Sequence, residues 1–228
     1  VYKRQYYILD LSAKNSFVKW AVDQGYTVFM ISWKNPDKSY RNTKFEDYIS
    51  DGVLQAVNKI IELTNQKSIN ILGYCMGGTL LSCMMAYLNE VNQSEKINSC
   101  TFLTTMIDFS NVGDMSIFIN EELLSDIKEQ MNKDGFFSGE EMSAIFSALR
   151  SNDLIWTFVV NNYLLGREPF PFDILYWNSD CTRLPAEAHS YYLENMYVKN
   201  NLKKQNKLEF LGKKIDVSKI KTPIYNLS

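Results

Sequence analysis

Apolar residues recur at helical spacing between Phe45 and Asn65, at Ile49, Val53, Val57, Ile60 and Ile61, and predict an amphipathic helix. On either side lie two apolar runs rich in β-formers, Tyr26 to Trp33 and Ser68 to Gly73. Both predict strands covered on two faces. Nearer the start, Asn15-Ser16 can cap a helix whose Phe17, Trp20, Ala21 and Val22 share a face and which stops at Gly25. Lys34 to Asn42, with Asn35-Pro36, reads as loop. After Gly73 a Gly-rich turn leads into a short apolar helix, Thr79 to Leu88, and Cys100 to Phe109 predicts a third strand. Strand and helix alternate with short connections, which implies a parallel sheet with right-handed crossovers.

The rhythm breaks after Phe109. Ser138-Gly139-Glu140-Glu141 is a capping box opening a helix towards Arg150. Further helices are expected over Asp153 to Leu165 and from Pro185 to Asn201, with the irregular aromatic segment Pro169 to Asp173 between them. Leu208 to Ile215, with Gly212, predicts a small hairpin, and a sheet-like strand resumes only at Thr222-Pro223-Ile224-Tyr225. The layout is therefore a partial α/β core over 1–109, a mainly helical cap inserted over 110–221, and the start of the next core strand over 222–228. Because the chain begins at Val1 and stops where that strand is forming, it is expected to be a fragment of a longer protein.

Composition narrows the classes. A formal net charge of −2 gives no electrostatic case for nucleic acid or an anionic membrane. No stretch approaches the about 20 apolar residues of a membrane-spanning helix. The cysteines Cys75, Cys83, Cys100 and Cys181 show no disulfide spacing, and a single histidine, His189, with no CxxC pair argues against structural zinc. The expected setting is reducing and cytoplasmic.

The chemistry concentrates in Gly73-Tyr74-Cys75-Met76-Gly77-Gly78, a G-x-C-x-G-G pattern between a buried strand and a helix. A nucleophile elbow holds its central residue in a strained turn, so its neighbours two positions away must be small, as Gly73 and Gly77 are. Gly78 lets the helix pack closely on the sheet. The turn presents the Cys75 sulfur at a helix N-terminus, which favours a thiolate, and makes the Met76 backbone N–H an oxyanion-hole donor. The competing reading is a buried small hydrophobe in a structural or nucleotide-binding turn. A phosphate loop is disfavoured because no lysine follows the glycines. Cysteine suits thioester chemistry: an acyl group moved from thioester to thiol stays activated and can then pass downhill to a hydroxyl.

Beyond the elbow, a series of segments is similar to the polyhydroxyalkanoate synthases, closest to class I. They begin with Tyr7-Ile8-Leu9-Asp10-Leu11, Asn15 to Val18, Ile31 to Pro36 and Asp47-Tyr48-Ile49. Gly73 to Leu80 and Leu103 to Phe109 follow, then Arg150 to Trp156, Asn162-Tyr163-Leu164 and Pro171 to Asn178. The resemblance implies an α/β-hydrolase fold and a cysteine-histidine-aspartate triad with Cys75 as the acylated nucleophile. It places the aspartate and histidine beyond the last strand of this chain. It implies no cofactor, since the CoA thioester is the substrate, and as partners 3-hydroxyacyl-CoA, the growing polyester, a second copy bound through the cap, and the granule surface.

By that comparison His189 is structural or on the surface, and Asp108 serves in capping or solvation rather than as the triad acid. Trp177, with Phe170, Phe172 and Tyr176, lines the substrate path or a cap-to-cap contact, or else packs the cap's own core. Arg150 meets a CoA phosphate or is a helix C-terminal charge. Val1 to Gln5 departs from the family pattern that supplies the second oxyanion N–H, leaving that donor unassigned. Two other readings remain: a cysteine-nucleophile hydrolase or thioesterase on the same fold, and a non-catalytic hydrolase-fold protein that binds granules.

Overall fold

The computed structural model describes residues 7–118, 121–149, 151–168, 177 and 182–227. Two short strands, β1 (Asp10–Ser12) and β2 (Asn15–Ser16), precede α1 (Phe17–Asp23). A continuous helical segment follows, made of α2 (Phe45–Asp47), a π-helical stretch (Tyr48–Leu54) and α3 (Gln55–Thr64). Next come β3 (Ile69–Tyr74), α4 (Met76–Glu90), β4 (Ile97–Leu103), α5 (Glu121–Asp134), β5 (Phe136–Phe137) and α6 (Gly139–Leu149). Two π-helical stretches (Asn152–Trp156 and Val159–Leu164) lead on to β6 (Leu184–Pro185) and α7 (Ala186–Tyr192). A last π-helical stretch (Leu193–Val198), the strands β7 (Leu208–Phe210) and β8 (Lys213–Ile215), and β9 (Ile224–Leu227) complete the order.

The chain forms two compact units, one of Val1–Arg41 with Ser125–Ala186, the other of Asn42–Leu124 with Glu187–Ser228. This division differs from the expected layout of 1–109, 110–221 and 222–228. The first 41 residues join the inserted helices because polar contacts tie them there. The Arg41 guanidinium donates to the backbone carbonyls of Asn132 and Lys133, and the Arg183 N–H donates to Asn35 Oδ1 at 2.8 Å. Residues 187–221 join the sheet because β8 and the turn Val217–Lys219 pack on α4.

In the first unit, Ser16 caps α1 by accepting from the Lys19 N–H at 2.7 Å, and Gly25 closes it with a left-handed φ of 88°. Ser138 and Glu141 form the expected capping box: Ser138 Oγ accepts from Glu141 N–H at 3.1 Å, and the Glu141 carboxylate from Ser138 N–H at 3.2 Å. Met131, Phe137 and Ala186 are buried together, with Ile127 and Ile145 packed on them. The run from Tyr26 to Trp33 is not a strand here. It carries no strand ladder among the described residues, and Tyr26, Phe29, Met30 and Ile31 are exposed. Strand-forming side chains supply propensity, but a ladder needs a hydrogen-bonded neighbour, and none lies beside this run among the described residues. Helix α5 was not expected; its charged, polar sequence carries only a thin apolar stripe.

In the second unit, β3, β4 and β9 form a parallel sheet in that order, with Gly73 opposite Phe102 and Cys100 opposite Ile224. The third predicted strand is shifted: β4 starts at Ile97 and ends at Leu103, and Thr104 turns away with a φ of 47°. Helix α4 is buried almost all round, from Gly78 to Ala86 and at Leu88, against β3, β4, β8 and the Tyr48–Leu54 stretch. Burying each of Leu80, Leu81, Met84, Met85 and Leu88 stabilises the fold by about 1.5–3 kcal/mol. The helical segment over 45–64 turns Ile49, Val53 and Val57 inward and ends at Asn65, which takes the left-handed C-cap with a φ of 53°. Strands β7 and β8 make the expected hairpin, turning through Leu211 and Gly212 with φ of 51° and 72°.

Candidate active site

Cys75 stands alone between β3 and α4, with φ of 53° and ψ of −125°. A non-glycine residue there carries about 1–3 kcal/mol of strain, which the surrounding contacts must hold. They are on both sides of the turn. Cys75 N–H donates to the Leu103 carbonyl at 2.9 Å, tying the elbow to β4. Its own carbonyl accepts from Gly78 N–H at 2.9 Å and Thr79 N–H at 3.4 Å, starting α4. The side chain is exposed, at the C-terminal end of a parallel strand where α/β folds bind ligands. Met76 is the first residue of α4, a position whose backbone N–H has no acceptor one turn back, so the predicted oxyanion donor sits beside the sulfur-bearing residue.

The glycines divide unequally. A Cβ on Gly73 would lie 2.5 Å from the Gly78 Cα, and one on Gly78 would lie 1.9 Å from Thr105 Oγ1. Strand, helix and the loop after β4 therefore meet through these two positions. A Cβ on Gly77 would meet nothing within 4 Å. The expectation that Gly77 is small for steric reasons is corrected: the demand falls on Gly73 and Gly78, because a side chain at Gly77 would enter open space. Thr105 fills the space Gly78 leaves. Its hydroxyl lies 3.3–3.5 Å from the carbonyls of Leu103, Cys75 and Gly73.

Three tyrosines lie within electrostatic reach of Cys75, none of them singled out by the sequence pattern. Burial raises the Tyr74, Tyr192 and Tyr197 phenols, and the electrostatic field of Cys75 adds to each; Tyr197 is pushed up to about 12. All three stay neutral at ordinary pH. Tyr192 and Tyr197 meet edge to face at 5.6 Å, and both pack on Phe109. Residues five apart lie on different faces of an α-helix. The π-helical stretch Leu193–Val198 brings them to one side, since its hydrogen bonds span five residues. A helical-wheel reading at 3.6 residues per turn could not pair them.

Asp108 is held by Lys203 Nζ at 2.7 Å, by Ser110, and by Asn200 Nδ2 at 2.8 Å, and these hydrogen bonds hold its carboxyl well below the usual carboxylate range. It is an exposed, permanently ionised anchor rather than a proton donor. His189 lies in α7 with 6% of its surface exposed, and burial pushes its pKa down to about 4. It is therefore a neutral core side chain rather than a surface one. Beyond the elbow, a groove of about 410 Å³ runs along the C-terminal ends of β4 and β9, lined by Thr105, Met106, Ile107, Asp108, Asn111 and Asn226 among others. Trp177 is half-buried and belongs to the other unit. Arg150, Phe172 and Tyr176, as well as Phe170, lie outside the described residues.

Residues 6–224 match the α/β-hydrolase fold family. The chain is 43% identical over 224 residues to a poly(3-hydroxyalkanoate) polymerase subunit of Rhizobium meliloti, covering 98% of this chain and 36% of that protein. It is 44% identical to the corresponding subunit of Rhizobium etli, covering 98% of this chain and 35% of that one. A poly(3-hydroxyalkanoate) polymerase of Methylorubrum extorquens is 44% identical over 98% of this chain and 37% of its own length. The chain thus spans little more than a third of the relatives it matches. A strand, a strained cysteine turn and a buried helix under a parallel sheet agree with this: the chain belongs to the α/β-hydrolase fold family, and within that fold it is similar over nearly its whole length to poly(3-hydroxyalkanoate) polymerases.

Proposed function

We propose that this chain is the nucleophile-bearing part of an acyltransferase that polymerises short-chain 3-hydroxyacyl-CoA through a Cys75 thioester. The observation that carries the reading is the backbone of Cys75: a left-handed φ at a strand-to-helix turn, with the side chain exposed. In this mechanism the Cys75 thiolate attacks the acyl-CoA carbonyl, and the Met76 N–H stabilises the oxyanion. The carbon–sulfur bond to CoA breaks, and free CoA leaves as its thiol. The 3-hydroxyl of another acyl unit then attacks the Cys75 thioester, forms an ester, and returns the cysteine to its thiol. A histidine base and its aspartate partner are expected in sequence beyond Ser228, so the 228-residue chain alone is expected to be inactive. The wider setting follows the same similarity: a cytoplasmic enzyme at a polyester granule, paired through its cap. Among the described residues no helix is long and apolar enough to cross a membrane.

The test is a product assay of the full-length protein with 3-hydroxybutyryl-CoA. Released CoA with insoluble polyester supports the reading, whereas release with free 3-hydroxybutyrate alone makes the protein a hydrolase. Cys75→Ala is expected to remove activity while leaving the fold intact. An active Cys75→Ala protein would end the nucleophile assignment.

A further inference from the structure

The loop after β4 touches the elbow at one end and a polar cluster at the other. At the elbow end, Thr105 packs into the space over Gly78, and the Met106 carbonyl accepts from Thr79 Oγ1 at 2.8 Å. Thr79 is in the first turn of α4, where its N–H also reaches the Cys75 carbonyl. At the far end, two side chains that follow the Leu193–Val198 stretch close on the same loop. Asn200 Oδ1 accepts from the Phe109 N–H at 3.0 Å, while its Nδ2 donates to Asp108 at 2.8 Å and to Ser110 Oγ at 3.2 Å. Lys203 Nζ donates to Asp108 at 2.7 Å and to Ser110 Oγ at 3.0 Å. Asn200 holds a φ of 46°, which suits asparagine and aims its amide at the loop.

Stability alone is a poor explanation for this cluster. The Lys203 and Asp108 side chains are 46% and 52% exposed, and exposed pairs contribute little to folding. What the five hydrogen bonds share is their target, three consecutive residues of the loop whose other end buttresses the nucleophile. We infer that Asn200 and Lys203 are positioning residues for the elbow: they clamp Asp108, Phe109 and Ser110, and so hold Thr105 and Met106 against Gly78 and Thr79. This rests on the reading of Cys75 as the acylated residue. Displacing a reacting group by about 1 Å can cost up to about a hundredfold in rate, so a loosened buttress is felt in the chemical step.

The experiment uses the full-length protein with Asn200→Ala, Lys203→Met, Thr105→Ala and the two double variants containing Thr105→Ala. Single-turnover acylation of Cys75 by 3-hydroxybutyryl-CoA gives the saturated rate and the half-saturating concentration. Each clamp variant is expected to lower the saturated rate about tenfold, with the half-saturating concentration changed less than about twofold. In the Thr105→Ala background the same substitutions are expected to cost less than about a further twofold, because they act through that residue. Clamp variants within about twofold of the unmodified protein would overturn the inference, as would losses that multiply with Thr105→Ala or a change in half-saturation alone. Lys203→Met, at an exposed site, keeps the test alive if Asn200→Ala fails to fold. Should the unmodified protein form no acyl adduct at Cys75, the proposed function falls. The clamp is then judged by iodoacetamide alkylation of Cys75, expected to slow by about threefold in the same variants and unchanged if the clamp does nothing.

Discussion

Gly77 and Gly78 are adjacent in the elbow, yet adding one methyl group to each is expected to have opposite consequences. In Gly78→Ala the new Cβ would sit 1.9 Å from Thr105 Oγ1, 2.6 Å from its Cγ2 and 2.8 Å from its Cβ. No rotation of the Thr105 side chain clears its own Cβ, so the loop or α4 must move. Overpacking of this kind costs about 1–3 kcal/mol. Moving Thr105 also withdraws its hydroxyl from the Leu103, Cys75 and Gly73 carbonyls, worth about 0.5–1.5 kcal/mol. A loss of about 2–4 kcal/mol is expected. Gly77→Ala meets no atom within 4 Å and lies in the first turn of a helix, where it is expected to stabilise by about 0.4–1 kcal/mol. Urea unfolding of the full-length protein and each variant, followed by tryptophan fluorescence and far-ultraviolet dichroism, measures both. Adding Thr105→Ala to Gly78→Ala removes the two nearest atoms and is expected to recover part of the loss. If Gly77→Ala proves as damaging as Gly78→Ala, or Thr105→Ala rescues nothing, the packing account of the elbow is wrong.

His189 links stability to pH. Its folded pKa of about 4 lies below the ordinary 6.5, so folding favours the neutral imidazole. That contribution is complete above pH 6.5 and is lost as pH falls towards 4, by on the order of 3 kcal/mol. His189→Gln is expected to flatten the urea midpoint between those limits; an unchanged slope would refute the assignment. Ser138→Ala removes one half of the capping box and is expected to destabilise α6 by about 1 kcal/mol, read as faster amide exchange in its first turn. Leu88→Ala, fully buried on α4, is expected to cost about 2–5 kcal/mol in the same unfolding measurement.

Local patterns carried much of the architecture. The cap at Ser16, the capping box at Ser138, the amphipathic spacing of Ile49, Val53 and Val57, and the Gly212 hairpin each rest on residues within a few positions of one another. Such short-range chemistry is legible without knowing the fold. The elbow was legible for the same reason: a small residue before Cys75 and a helix after it are local demands. Yet the steric reason for its glycines was only half readable, because Gly78 is constrained by Thr105, a residue of another element.

The amino-acid sequence by itself determined which segments can be strands and helices, where Cys75 sits, and that its turn must be tight. Tertiary structure decided which of those possibilities are used. Tyr26 to Trp33 has the composition of a core strand but gains no ladder partner among the described residues, and ladders are made between segments, not within them. The Tyr192–Tyr197 pair depends on a π-helical turn, and the Asp108 clamp on side chains 92 and 95 positions away. Burial likewise made His189 a neutral core residue while leaving Asp108 ionised at the surface. Propensity acts along the chain, whereas desolvation and hydrogen-bond partners are set in space, and the surroundings of Cys75 are of the second kind.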